Sequence, residues 1–130
     1  MGTGMLVLVI VGITKCLSLV AYADQGYGTY YTPPYVPSAC YGYQDEGVMI
    51  GAASDTLWNG GAACGRMYSI TCIGGTNQGV VHPCTGQSVT IKIVDHCPSP
   101  GCQATIDLSQ ESFAIIADVA AGKIVIEYNQ

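Results

Sequence analysis

From Val89 to Asp95 apolar and polar side chains alternate: Val89, Ile91 and Ile93 share one face, and Thr90, Lys92 and Val94 the other. That period of two predicts a strand. Lys123 to Tyr128 repeats it, with Ile124, Ile126 and Tyr128 on one side, and Arg66 to Ile73 alternates around Met67, Ser69 and Thr71. Gly28 to Tyr31 reads as a short aromatic strand stopped by Pro33 and Pro34, and Val48 to Ala53 as a short strand or extended segment. The period changes after Leu108. Phe113, Ile116, Ala117 and Ala120 form a helical stripe that packs on a core. Ser109 is placed to cap this helix, Glu111 sits in its first turn, Leu108 and Phe113 suit a hydrophobic staple, and Gly122 follows its end. Asp55 to Trp58 predicts one helical turn before the Asn59-Gly60-Gly61 turn, and Gly74 to Gly86 a polar loop. Short strands and little helix predict a mainly β, closed small barrel.

The apolar run Met5 to Ala23 stands apart. Ala21 and Ala23 are spaced as a signal-peptidase site before Asp24, so residues 1–23 read as a signal peptide and 24–130 as one domain. The longest uncharged stretch, Met1 to Thr14, is too short to span a bilayer, so the protein is not expected to be membrane-embedded. Of seven cysteines, Cys16 lies in this leader; the other six form an even set, which behind a secretion signal reads as a disulfide framework. The expected location is therefore extracellular. Removing Lys15 leaves Arg66, Lys92 and Lys123 against nine acidic residues. That balance argues against nucleic acid as a partner.

Three kinds of chemistry are open to these residues. His82, Cys84, His96 and Cys97 offer zinc-ligand types, but oxidised cysteines cannot ligate as thiolates, so no metal and no cofactor is expected. No Gly-x-Ser-x-Gly elbow is present, and six paired cysteines leave no thiol nucleophile. Carboxylates remain. Asp95 ends the Val89 strand and Asp107 precedes the helix, the two places where grooves form. Either the pair supplies acid chemistry on a glycosidic bond, or it binds backbone amides around the turns.

Longer motifs carry a family resemblance. GAACGRMYSITC (Gly61 to Cys72) resembles the cysteine-rich stretch of expansin N-terminal domains. SVTIKIVDHCP (Ser88 to Pro98) resembles the central strand of expansins, barwin and kiwellins, and TIDLSQESFAIIA (Thr105 to Ala117) the expansin HFDLSQ motif. TYYTPPYVPSACYG (Thr29 to Gly42), with no second domain after Gln130, is similar to the single-domain plant natriuretic peptides and their endoglucanase-45-like relatives.

This resemblance implies a six-stranded double-psi β-barrel with one or two short helices, stapled by Cys40–Cys64, Cys72–Cys84 and Cys97–Cys102. It puts the family-45 endoglucanase acid at Asp107 and the base at Thr32, a hydroxyl of no useful basicity; the expansin HFD histidine and phenylalanine fall at Thr105 and Ile106, and a family cysteine at Met67. The implied protein is secreted, apoplastic, monomeric and non-hydrolytic, with a role in water, ion and solute homeostasis or stress signalling. Its groove would gather Tyr30, Tyr31, Tyr43, Asp95 and Asp107 to bind a cell-wall polysaccharide or a plasma-membrane receptor. The alternatives are weak glycan cleavage through Asp107 and a barwin- or kiwellin-like defence module.

Overall fold

The structure, a computed structural model, describes residues 23–130; the expected signal peptide lies outside them except for Ala23. Six strands close into a barrel: β1 (Asp24–Tyr31), β2 (Ile50–Ser54), β3 (Met67–Gly75), β4 (Ser88–Cys97), β5 (Ile106–Ser109) and β6 (Ile124–Asn129). Their order around the wall is β1-β5-β2-β4-β3-β6. β1 runs parallel to β5, and β2 to β4; the other four pairings are antiparallel. This is the double-psi barrel that the motifs imply.

Alternation fills the interior. Ile70, Ile91, Ile93, Ile106, Leu108, Ile124 and Ile126 have no exposed surface, and Phe113 and Ile116 of the helix α2 (Gln110–Ile116) plug the core with them. No helix among the described residues is long and apolar enough to cross a membrane. The Ser109 hydroxyl caps α2 by accepting from the Ser112 amide at 3.1 Å, and itself donates to the Val48 carbonyl. Leu108 and Phe113, one residue before the cap and four after it, are both fully buried, as a staple requires.

Three expectations need correction. Sequence pattern marks no strand at residues 106–109, because four residues carry too little alternation to register. The barrel requires one there, since β5 is hydrogen-bonded on both sides. β1 begins at Asp24 rather than Gly28, because β6 pairs with it from Asp24 onward. The helix ends at Ile116, not beside Gly122: Ala117 is extended and bridges to Cys84, and a separate 3-10 turn, Val119–Ala121, capped by Asp118, carries the chain to Gly122. The expected turn of helix is α1 (Asp55–Trp58), followed by a 3-10 turn through Asn59–Gly61 where Asn59 and Gly60 take positive φ.

The disulfides are Cys40–Cys64, Cys72–Cys84 and Cys97–Cys102, with Cα separations of 5.6, 5.2 and 5.2 Å, and they pair as the resemblance implies. Cys72–Cys84 and Cys97–Cys102 each hold a loop against a strand, and Cys40–Cys64 ties two loops together, each a constraint worth about 2–4 kcal/mol by loop entropy.

Gly51 sits where two neighbouring strands pack closely against β2. A Cβ there would meet Ile91 Cδ1 at 3.2 Å, and Ile106 Cγ2 and the Asp107 carbonyl oxygen at 3.3 Å. Two of these neighbours are on β5. Gly51→Ala is expected to overpack the wall by about 1–3 kcal/mol and to lower the melting temperature by roughly 5–15 °C for a domain this size. Thermal unfolding followed by circular dichroism measures it; an unchanged midpoint would contradict the tight packing.

Candidate functional site

One row of side chains crosses the outer face of the barrel. Thr29 on β1 is in register with Asp107 on β5, Asp107 with Ala52 on β2, and Ala52 with Asp95 on β4. Residues in register across paired strands project to the same side of a sheet. Thr29, Asp107, Ala52 and Asp95 therefore stand side by side, while the intervening Ile106, Leu108 and Ala53 point into the core. Two strand spacings put the Cα atoms of Asp95 and Asp107 roughly 10 Å apart. Only Ala52, itself buried, stands between the two carboxylates in the row.

Asp95 reaches this face through a bulge. Strict alternation after Ile93 would turn Asp95 toward the core. Between Gly51 and Ala52 the register shifts: Gly51 pairs with Ile93, but Ala52 pairs with Asp95, and Val94 is the extra residue. Bulges of this kind re-aim side chains. Past the end of its pairing with β3, β4 is met by other backbone: Gly65 N donates to Ile93 O, and Cys40 N to Val94 O. Asp95 Oδ1 in turn accepts from the amides of Ala39 and His96, both at 2.9 Å. One of the two carboxylates is thus a brace for the 38–42 loop.

Asp107 differs. It accepts from the Thr29 hydroxyl at 2.8 Å. Burial pushes its carboxyl up from the ordinary value, the Thr29 bond pulls it partway back, and the charge of Asp95 pushes it up again. Tyr31, two residues beyond Thr29 on the same face, completes the group. Its hydroxyl is buried and has no hydrogen-bond partner among the described residues. Burial, then the charges of Asp95 and Asp107, hold that hydroxyl firmly protonated.

Of the five expected groove residues, three come together here: Tyr31, Asp95 and Asp107. Tyr30 is on the opposite face of β1, packed on the core with its ring 4.9 Å from Phe113. Tyr43 is 81% exposed in the loop between β1 and β2 and belongs to no part of the row. Thr32 lies one residue beyond β1, exposed, and Thr105 accepts from the Tyr27 amide at 3.1 Å and braces β1. Ile106 is buried in the core, and Met67 is half-exposed.

Sequence reasoning missed Thr29 as the partner of Asp107, because only the β1–β5 register brings together residues 78 positions apart. It also missed the stack beside the row: the His96 ring lies flat on Trp58 at 4.5 Å, and its Nε2 is 2.7 Å from Asp55 Oδ1. Cys84 and Cys97, two of the four zinc-ligand types, are in disulfides, and no cluster of three or more metal-binding side chains occurs among the described residues.

A closed six-stranded double-psi barrel with an acidic row across its parallel strands defines an expansin-related domain. Comparison with known proteins agrees. Residues 50–128 match the double-psi β-barrel family described as lytic transglycolase. The whole chain is 60% identical to an EG45-like domain containing protein of Citrus jambhiri, covering 99% of it. Expansin-B4 of Arabidopsis thaliana is 36% identical over 53% of this chain, which spans 26% of that protein. Among solved structures, the apo expansin of Clavibacter michiganensis superposes with a TM-score of 0.61 at 25% identity, covering 83% of this chain and 50% of that one. A variant of the same expansin, solved in complex with cellohexaose, has the same TM-score at 24% identity. The chain belongs to the EG45-like domain proteins, within the expansin-related double-psi barrels.

The raised Asp107 carboxyl has a pH signature. The folded carboxyl holds its proton more tightly than the unfolded one near 3.8. Its contribution to stability is therefore complete below that value and is lost as pH rises through the folded value. Asp107→Asn keeps the acceptor for Thr29 and removes the charge. It is expected to stabilise the protein more at pH 7 than at pH 3 in thermal unfolding; an equal difference at both would contradict a destabilising charge. Thr29→Val, which deletes the one bond favouring the carboxylate, is expected to move the Asp107 titration further up by carboxyl 13C NMR.

Proposed function

We propose that this chain is a secreted, non-hydrolytic protein of the plant cell-wall space that holds a neutral polysaccharide segment across the Thr29–Asp107–Ala52–Asp95 row. The observation that carries this reading is the division of labour between the carboxylates. Hydrolysis by inversion needs one carboxylic acid and a second carboxylate free to activate a water. Asp107, raised and half-buried, has the character of an acid. Asp95 Oδ1 is taken by two backbone amides, and Thr32, where the relatives' base falls, is a hydroxyl. Loss of a general base costs about 10²–10⁴ in rate.

What the row retains is the chemistry of sugar recognition. It has carboxylate oxygens that accept from ring hydroxyls, and the Thr29 hydroxyl beside Asp107. Two carboxylates on an acidic protein repel polyuronates, which favours a neutral β-glucan over pectate. Three disulfides support export to an oxidising compartment. The role in water, ion and solute homeostasis or stress signalling rests on the resemblance of the Thr29–Gly42 run to the natriuretic group, and would follow from binding at the cell surface.

Incubation with insoluble cellulose, soluble mixed-linkage glucan and polygalacturonate tests the reading. Retention on the two glucans, none on polygalacturonate and no new reducing ends are expected. Asp107→Ala, which removes a charged acceptor, is expected to weaken retention about tenfold. Reducing ends that appear with wild type and vanish with Asp107→Asn would make the protein an enzyme and sink this reading. Swelling of plant protoplasts by the folded protein, and not by the reduced one, is the expected outcome for the homeostatic role.

A further inference from the structure

A second concavity lies beyond the end of β1, away from the carboxylate row. It encloses about 350 Å³ between the chain leaving β1 and the loop entering β2, with Pro33, Pro34, Val36 and Val48 as its apolar walls and Asp45 and Glu111 as its charges. That volume is at the small end for binding pockets and suits one side chain better than a larger ligand. Among the described residues, no basic one lines it. The nearby cation on this side, Lys92, is committed elsewhere: its Nζ is 2.6 Å from Glu46 Oε1 and lies over the Tyr41 ring at 4.7 Å.

Both carboxylates are fixed through one oxygen and open through the other. Asp45 Oδ1 accepts from the Gly47 amide at 2.8 Å, and Glu111 Oε2 accepts from the Tyr35 hydroxyl at 2.6 Å. Tyr35 stays a donor, its hydroxyl pushed up to about 12 by burial and by this bond. The surrounding surface is apolar. Val48 is 44% and Met49 37% exposed, in the same loop as the 81% exposed Tyr43. Charge that is fixed, uncompensated and set in an apolar frame calls for a cation on an aliphatic stem. The exposed apolar rim calls for a chain around that cation.

We infer that this pocket is a docking site for the side chain of a lysine or arginine carried on a partner polypeptide, with the aliphatic stem between the prolines, Val36 and Val48 and the cationic head between Asp45 and Glu111. Its partner is thus a basic protein segment, distinct in chemistry from the neutral glycan of the row. The two surfaces meet where Tyr35 packs edge-on against Tyr31 at 5.2 Å and donates to its carbonyl at 3.4 Å. The pocket does not depend on the reading of the row.

Titration of the 15N-labelled protein with Nα-acetyl-lysine methylamide, watched by amide shifts, tests it. Saturable shifts confined to residues 33–36, 45–48 and 110–112 are expected. Glu111→Gln, which keeps the Tyr35 acceptor, and Asp45→Asn, which keeps the Gly47 acceptor, are each expected to weaken binding about two- to fivefold, the range for exposed ion pairs, and 0.5 M salt to do the same. The norleucine analogue should bind at least as weakly as the double variant. Asp107→Asn should leave the titration unchanged, which separates failure here from failure of the glycan site. Equal binding by the norleucine analogue, shifts spread evenly over Asp24, Asp118 and Glu127, or saturation at this pocket by a cello-oligosaccharide instead would each overturn the inference.

Discussion

The barrel closes on a strand of four residues. β5 is bonded to β1 on one side and to β2 on the other, and without it the wall would open between them. Almost nothing in β5 is free to vary in kind. Ile106 and Leu108 are core, Ser109 starts α2, and only Asp107 looks outward. A side chain at Gly51 would press on Ile91 of β4 and on Ile106 and Asp107 of β5. The acidic residue is therefore placed by the closure of the fold itself, at the one outward position of its shortest strand.

That placement explains why the carboxylates behave unequally. Asp107 rises from the middle of a wall, flanked by Thr29 and Ala52, and loses water on both sides. Asp95 stands where β4 leaves its partner β3 and loop backbone crosses over, so amides are at hand to meet it. One position makes an acid, the other a strut. The fold is shared with the Clavibacter michiganensis expansin at a TM-score of 0.61.

Much of this was legible in the residues, and what was not has physical causes. Long alternating runs such as 89–95 and 123–128 announced β4 and β6, because each turns one face to a core. The capping of α2 was legible because it is local, written in Leu108, Ser109 and Phe113. The end of α2 was not: Ala117 continues the apolar stripe, and the bridge to Cys84 that halts the helix comes from 33 positions away. Tyr30 and Tyr31 look alike in sequence, yet the pleat sends one to Phe113 and the other to the row. The Thr29–Asp107 bond depends on register, which no local pattern records.

The bulge at Val94 has an evolutionary side. Regular pairing of β2 with β4 would bury Asp95 beside Ala53, a position no unpaired carboxylate tolerates. The acid thus helps to hold its strand out of register. An apolar residue at 95 would lift that penalty and favour the regular frame, in which Val94 sits opposite Ala52 and His96 opposite Ser54. One substitution would then remove the acid from the row, with no residue gained or lost. A fold whose strand frame answers to a single charge gives its lineage a short path between surfaces of different chemistry.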